Sequence, residues 1–259
     1  MTGTRLSRRG LLLGGLGLAT ATSSAWALDR YVIDHPQVTA VSEQESADPD
    51  TSSSATASST IEVTTWIQGS GADLISGYIA DVRLTDARLL RSAFADDTFG
   101  NNIIANPSVI AAQAGAELAI NGDYYGFRDT GNVMRNGVAY RDQGVRIGLA
   151  LDAAGTLRLY DETTTSAQAL VDQQVWQSWS FGPGLVDGGQ VLAGIEAFEV
   201  DTNFGNHSIQ GAQPRTGIGM IEPNHFLFVV VDGRSPGYSR GITMTEFAEL
   251  FASLGAQVA

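Results

Sequence analysis

Two aspartates in this sequence lie where a hydrolytic site would need carboxylates. Asp232 directly follows the apolar run FLFVVV, and Asp123 lies in AINGDYYGF, shortly after the apolar run ELAI. A carboxylate just past a buried strand lies where ligands commonly bind. Asp123 and Asp232 are therefore our candidate catalytic residues.

The stretch VVVDGRSPGYSRGITMTEF, residues 229–247, surrounds the second aspartate. Asp232-Gly233 between two strands would indicate a hairpin turn. The residues that follow, however, do not alternate and include Pro236, whereas Thr243 and Glu246 have the spacing of a capping box at the start of a helix. The sequence thus predicts a strand, a polar loop of about ten residues and a helix.

Arginines near this loop are candidate anion ligands. Arg234 and Arg240 flank the loop, and the N–H groups of the following helix N terminus would favour a phosphate. Arg215 begins the stretch RTGIGM, in which Gly217 and Gly219 indicate close approach of another backbone or of a ligand. Ordinary solvated surface arginines remain the alternative for all three.

The stretch AINGDYYGF is a second candidate site. Asn121-Gly122 alone is typical of a plain turn. Asp123 adds a carboxylate just past a predicted strand, and Tyr124 with Tyr125 supplies flat, amphipathic rings that could pack on a sugar. Downstream, Arg135-Asn136-Gly137 indicates mainly a hairpin turn.

Short elements dominate the pattern from Ile61 onward. Alternating residues in IEVTTWI and GYIADVRL predict half-buried strands, and NPSVIAAQAGAELAIN predicts a short helix, capped by Gly115, followed by a strand. Further hairpins are predicted in VRIGLALDAAGTLRLY, SFGPGLVDGGQVL and RTGIGMIEPNHFLFVVV, and helices in TTTSAQALVDQQV and after Thr243. We expect one α+β domain over residues 61–259, with a mostly antiparallel or mixed sheet.

The first 60 residues indicate export. Arg8-Arg9, an apolar run over 11–19 and Ala25-Trp26-Ala27 predict a cleavable signal peptide over residues 1–27, cut after Ala27. The arginine pair favours the twin-arginine export machinery as a partner, with the general secretory route as the alternative. The apolar run is too short for a stable membrane span. Residues 28–60 are predicted to be a disordered linker. We expect a periplasmic or extracellular location.

Composition excludes several classes of partner and site. Residues 1–27 contain three of the 15 basic residues and none of the 28 acidic ones, so the remaining chain has a net charge of −16. Such a surface argues against nucleic acid or anionic membrane as a partner. With no cysteine and three widely separated histidines, a structural zinc site is not expected. No cofactor is predicted, although the Asp loops could hold a divalent cation.

The ordered series of motifs resembles the phosphodiester glycosidase domain family, which includes the lysosomal uncovering enzyme. AINGDYYGF, an RNG turn, SFGPGLVDGG, PRTGIGM and VVVDGRSPGYSRGIT occur in the family's order between Thr60 and Ala259. The resemblance implies hydrolysis of a sugar-1-phosphodiester or a related glycosidic bond in a glycan. It also implies that the stretches 121–123, 215–219 and 232–234 line the site, together with Ser239.

Residue roles follow from this resemblance as expectations. Asp123 and Asp232 would be the carboxylates, Arg215 and Arg234 would bind the phosphate, and Asn121 would bind a sugar hydroxyl. In the family, a strand ending in Leu-Asp-Gly-Gly-Gly-Ser follows the last helix, and Gln257-Val258-Ala259 resembles its beginning. We therefore expect a fragment that lacks its C-terminal motif, with a truncated, inactive copy as the alternative.

Two other functions stay open at this point. A non-catalytic saccharide-binding or exopolysaccharide-assembly protein could use the same cleft. A metal-dependent phosphodiesterase is a further alternative, since carboxylates in loops are ligands for hard cations.

Overall fold

The computed structural model describes residues 35–36, 42–43, 57–200 and 208–259. Its strands are β1 His35–Pro36, β2 Ser42–Glu43, β3 Ser59–Gln68, β4 Ile75–Leu84, β5 Gly100–Asn101, β6 Val133–Arg135, β7 Val138–Arg141, β8 Ile147–Asp152, β9 Leu157–Asp161, β10 Val175–Trp179, β11 Val186–Asp187, β12 Gln190–Val191, β13 Arg215–Glu222 and β14 His225–Val231. Its α-helices are α1 Pro107–Ala114, α2 Ala167–Asp172 and α3 Met244–Ser253.

A four-stranded antiparallel sheet forms the centre of the molecule. Its strand order is β13-β14-β4-β3, and the alternating stretches around Val63 and Ile79 form β3 and β4 as predicted. Within it, Val231 lies opposite both Gly77 of β4 and Arg215 of β13. The end of β14 that leads into Asp232 is therefore held by strands on both sides.

The run FLFVVV is apolar throughout because β14 is covered on both faces. On one face, Leu227 and Val229 belong to a core cluster with Phe247 and Phe251 of α3. On the other face, Phe226 and Phe228 belong to a cluster with strands β8 and β10. This double burial fixes the register of β14 and with it the position of the residue that follows.

Gly217 and Gly219 allow α3 to lie directly on β13. A Cβ atom at either glycine would lie 2.8 Å from the ring of Phe251. The close approach predicted from the two glycines is thus made by a helix side chain.

The predicted hairpins are confirmed around the central sheet. β8 pairs with β9 on one side and with β10 on the other in an antiparallel sheet. β6 and β7 are joined by Asn136 at φ 53° and Gly137 at φ 80°, the positive values that a two-residue hairpin turn needs. Both helices predicted before residue 175 also form: Gly115 caps α1 at φ 63°, and the Ser166 side chain caps α2.

Two expectations differ from the structure. The stretch ELAI is not a strand: Leu118 and Ile120 pack against the core cluster on the β8–β10 side, but their backbone joins no sheet. Burial of the side chains alone accounts for the apolar pattern. Part of the predicted disordered linker is ordered, since β1 pairs with β5, β2 with β7, and residues 59–60 begin β3. Backbone pairing needs no apolar side chains, so composition gave no indication of it.

The architecture is α+β, with mostly antiparallel sheets and short helices, as predicted. The predicted signal peptide, residues 1–27, lies outside the described residues. Among the helices of the described part, none is long and apolar enough to cross a membrane.

Candidate active site

Asp232 lies where β14 ends and a polar loop begins. The segment from Gly233 to Ile242 returns to the sheet as a loop, and α3 follows it, so Asp232-Gly233 is not a hairpin turn. Gly233 and Gly241 pack tightly here: a Cβ atom at each would lie 2.6 Å from the backbone of residues 213–214. The strand–loop–helix arrangement predicted from the sequence is confirmed.

Hydrogen bonds fix both the backbone and the side chain of Asp232. Its N–H donates to the carbonyl of Ser76 at 2.9 Å, and its carbonyl accepts from the Ser239 hydroxyl at 2.6 Å. Its carboxylate Oδ2 accepts from the Tyr238 hydroxyl at 2.9 Å. Within the described residues, Oδ1 has no hydrogen-bond partner.

Ser239 braces this loop from inside. Its side chain is fully buried, donates to the carbonyl of Asp232 and accepts from the N–H of Ser76 at 3.1 Å. The hydroxyl thus ties the end of β14 to the beginning of β4. In this arrangement it contacts the loop, and its predicted role in substrate binding stays a prediction.

The N terminus of α3 already carries a negative charge. The carboxylate of Glu246 accepts from the N–H of Thr243 at 2.9 Å in a capping box. Arg240 donates to the same carboxylate with both terminal nitrogens, at 2.6 and 3.2 Å. These contacts, led by Arg240, lower the pKa of Glu246 to about 2. A phosphate at this helix end would have to compete with Glu246 for both Arg240 and the backbone.

The two arginines predicted to bind phosphate have different surroundings. Arg215 is half-buried, and its guanidinium donates to the carbonyls of Ile209, Gly211 and Ile242. Burial lowers its pKa. Arg234 is exposed, has a left-handed backbone at φ 57°, and donates from Nε to the Gln213 side chain at 2.9 Å.

The remaining guanidinium nitrogens of Arg234 have no hydrogen-bond or ion-pair partner in the part of the chain that the structure describes. Arg234 therefore presents positive charge to solvent two residues after Asp232. The guanidinium of Arg215, by contrast, uses its donors in hydrogen bonds to the backbone that supports the loop.

Asp123 has a buried setting. Its Oδ1 lies 2.6 Å from Nη2 of Arg135, and the two side chains are only 2% and 4% exposed. Its Oδ2 accepts from the N–H of Ser180 at 2.8 Å. Both oxygens of this carboxylate are therefore engaged inside the protein. Arg135 also donates to the carbonyls of Met134 and Ser178.

The residues beside Asp123 are open to solvent. Asn121 is exposed, and its side-chain nitrogen lies 3.5 Å from the carbonyl of Gly122. The Tyr124 ring is 63% exposed, with the guanidinium of Arg128 5.2 Å from its centre. Arg128 in turn donates to the carbonyl of Ser180 at 2.6 Å. An exposed ring backed by a cation is a suitable surface for a sugar ring.

Ser180 is the centre of a polar network that sequence reasoning missed. Its hydroxyl donates to the buried carboxylate of Glu162 at 3.0 Å and accepts from Arg146 at 2.8 Å. Its N–H and carbonyl contact Asp123 and Arg128. Glu162 follows β9 and Ser180 follows β10, the two strands that flank β8, so a carboxylate and a serine directly after two strands of one sheet were the available indication.

Within the described residues, no hydrogen bond or ion pair joins Asp123 and its partners Arg135 and Ser180 to Asp232 and its partner Tyr238. Both groups adjoin the same core layer. Ile120 and Trp179 pack in the cluster that contains Phe226 and Phe228 of β14. The described residues also contain no cluster of three His, Asp or Glu side chains that could hold a metal ion.

The structure is a single α+β domain, as expected. The carboxylate of Asp232 is held at the end of a central strand, where the candidate hydrolytic site was predicted. The family model of phosphodiester glycosidases matches residues 114–259, which is more than half of the chain. The chain belongs to the phosphodiester glycosidase family, as its motifs indicated.

Two solved structures share the fold. One is the catalytic domain of zebrafish N-acetylglucosamine-1-phosphodiester alpha-N-acetylglucosaminidase, auto-inhibited by its pro-peptide. It is 18% identical, with a TM-score of 0.52 over 88% of this chain and 82% of that chain. The other is a hypothetical protein from Synechocystis, 13% identical with a TM-score of 0.56, covering 76% of this chain and 55% of that one. A comparison with proteins of curated function finds no match.

Proposed function

We propose that this protein hydrolyses a sugar-1-phosphodiester, or a related glycosidic bond, in a glycan or glycopolymer. The observation that carries the proposal is the Asp232 carboxylate. It lies at the end of β14 with one oxygen held by Tyr238, and Arg234 follows two residues later. Membership of the phosphodiester glycosidase family supports this class of substrate.

In the proposed reaction the bond between the anomeric carbon and the phosphate oxygen breaks, and its electron pair leaves with the phosphate. Water supplies the hydroxyl of the released sugar. Asp232 either attacks the anomeric carbon or takes the proton from that water. The leaving group is a phosphate monoester dianion, which is only weakly basic, so stabilisation of its charge matters more than an acid. The positive charge of Arg234 stabilises the leaving phosphate, because the terminal nitrogens of its guanidinium face solvent.

Asp123 acts by holding its loop in this proposal. To serve as an acid or nucleophile it would have to leave Arg135 and the N–H of Ser180, and the buried arginine would then lose its counter-ion. The pair instead fixes the segment that presents Asn121 to a sugar hydroxyl and Tyr124 to a sugar ring. Ser239, Arg215 and Arg240 support the loops in the same way, from the protein side.

We also propose that the protein acts after export by the twin-arginine machinery, in the periplasm or outside the cell. The sequence of residues 1–27 is the support for this proposal. Replacing Arg8-Arg9 by Lys-Lys should leave the protein uncleaved in the cytoplasm. Normal export of that variant would favour the general secretory route.

The name of the zebrafish relative suggests the first compound to test, an N-acetylglucosamine-1-phosphodiester of a simple alcohol. Release of the phosphate monoester can be followed by phosphorus NMR, and the anomer of the released sugar by proton NMR. Tight binding of the sugar with no turnover would favour the saccharide-binding alternative. Loss of turnover in a chelator, restored by a divalent cation, would favour the metal-dependent phosphodiesterase.

A further inference from the structure

Tyr238, which lies outside the predicted site, contacts Asp232, and Tyr78 lies next to Tyr238. Tyr238 donates its hydroxyl to Oδ2 of Asp232 at 2.9 Å. Asp232 and, to a smaller extent, the neighbouring Tyr78 raise the pKa of Tyr238 to about 12. The Tyr238 hydroxyl therefore keeps its proton at neutral pH and stays a donor.

The fold brings these rings together through the backbone. Tyr78 lies opposite Val230 in the β4–β14 pair, two residues before Asp232. A tight turn, closed by hydrogen bonds of 3.0 Å from Ser235 to Ser239 and from Tyr238 to Ser235, returns the loop over the strand end. The carbonyl of Tyr238 also accepts from the Ser76 hydroxyl at 2.8 Å. Tyr238 is thus held in position by its own main chain.

Exposure separates this contact from ordinary core packing. The side chains of Tyr78 and Tyr238 are 44% and 47% exposed, so neither ring is buried in the core. A neutral hydroxyl donor restricts the rotation of a carboxylate without cancelling its charge. An arginine or lysine at the same place would hold the carboxylate too, but would make it a weaker nucleophile and base.

We infer that Tyr238, supported by Tyr78, is a positioning residue that holds Oδ2 of Asp232 and turns Oδ1 toward the substrate. This inference rests on the proposed function, in which Asp232 reacts. Tyr238 itself transfers no proton in this account. Its contribution is the fixed direction of a carboxylate that would otherwise rotate at the end of β14.

The test is a double-variant cycle on the full chain, with the N-acetylglucosamine-1-phosphodiester as the probe. Tyr238→Phe keeps the ring and removes the donor, and should lower kcat about 10- to 100-fold with little change in KM. Tyr78→Phe should cause a smaller loss. Tyr140→Phe is the matched control, because the Tyr140 ring lies in β7 and packs against Phe94 and Phe99, outside the proposed site, and it should keep its kcat. In an Asp232→Asn background, Tyr238→Phe should cause no further loss.

A second measurement does not depend on turnover. Carbon-13 NMR of ring-labelled tyrosine should show Tyr238 titrating near pH 12 and shifting towards an ordinary tyrosine value in Asp232→Asn. An unshifted titration, or losses of kcat that multiply in the double variant, would overturn the inference. If the unaltered protein does not cleave the diester, the proposed function fails. The NMR titration then still decides whether Tyr238 holds Asp232.

Discussion

The carboxylate of Asp123 and the guanidinium of Arg135 form a buried ion pair at 2.6 Å. The pair connects the loop that carries Asn121 and Tyr124 to the hairpin of β6 and β7. Asp123 also reaches the backbone of Ser180 at the end of β10. One carboxylate thus ties three separate segments of the chain together beside the candidate site.

Breaking this pair should destabilise the fold more than any surface substitution. Arg135→Gln leaves Asp123 buried without its cation, and we expect a loss of about 3–5 kcal/mol in the free energy of unfolding. Urea denaturation followed by circular dichroism measures it. Arg234→Gln is the matched control, because Arg234 is exposed, and its stability should change by less than about 0.5 kcal/mol. A stable Asp123→Asn variant with no turnover would instead make Asp123 a reacting carboxylate.

Sequence patterns predicted Asp123 as a site residue but not its partner. Arg135 stands in an RNG turn, and the turn prediction is confirmed, which left no reason to assign its side chain a further role. The ion pair joins residues 12 positions apart through an irregular segment. Because ELAI forms no strand, strand pairing could not have placed Asp123 next to β6. Only the packed structure brings the two charges together.

The two candidate phosphate ligands should respond differently to substitution. Arg234→Gln should raise KM for the phosphodiester about 10-fold or more, because it removes a charge-assisted contact to the phosphate, and should leave stability unchanged. Arg215→Gln should destabilise the protein by about 1–3 kcal/mol, since several backbone carbonyls lose their donor. Steady-state kinetics and urea unfolding separate these effects. A normal KM in Arg234→Gln would remove that residue from the site.

The cap of α3 predicts a dependence of stability on acid. The folded-state pKa of Glu246 is lowered to about 2, below its ordinary value near 4.5. Its contribution to stability is therefore complete above about pH 4.5 and is lost as the pH falls towards 2. Glu246→Gln should cost about 1–2 kcal/mol at pH 7 and should flatten this part of the pH profile. Equal slopes in both proteins between pH 4.5 and 2 would contradict the assignment.

The contact between β13 and α3 depends on two glycines. Gly217→Ala and Gly219→Ala would each place a methyl group 2.8 Å from the Phe251 ring, and should cost about 1–3 kcal/mol. Gly126→Ala is the control, because the nearest atom to its new methyl group would lie 3.4 Å away. Thermal unfolding of the three variants makes the comparison. Full stability of Gly219→Ala would mean that α3 does not lie on β13 as described.

Local patterns predicted the helices, strands and turns well because the residues that begin or end each of them can be recognised in the sequence. The capping box at Thr243, the Asn136-Gly137 turn and the loop after Asp232 were all predicted correctly. The sequence could not show which partner each polar side chain has in the folded protein. Arg240 of the loop pairs with Glu246 of α3, and Ser239 is buried, although the sequence of the loop predicts exposed side chains. Tyr78 contacts Tyr238 only because β4 lies beside β14.

The central claim is that Asp232 reacts with the sugar. The most direct measurement is turnover of an N-acetylglucosamine-1-phosphodiester by Asp232→Asn, with urea unfolding measured on the same sample. The account predicts that activity falls by at least about 10³-fold while the free energy of unfolding stays within about 1 kcal/mol of the unaltered protein. Unchanged turnover in a folded Asp232→Asn protein would contradict it.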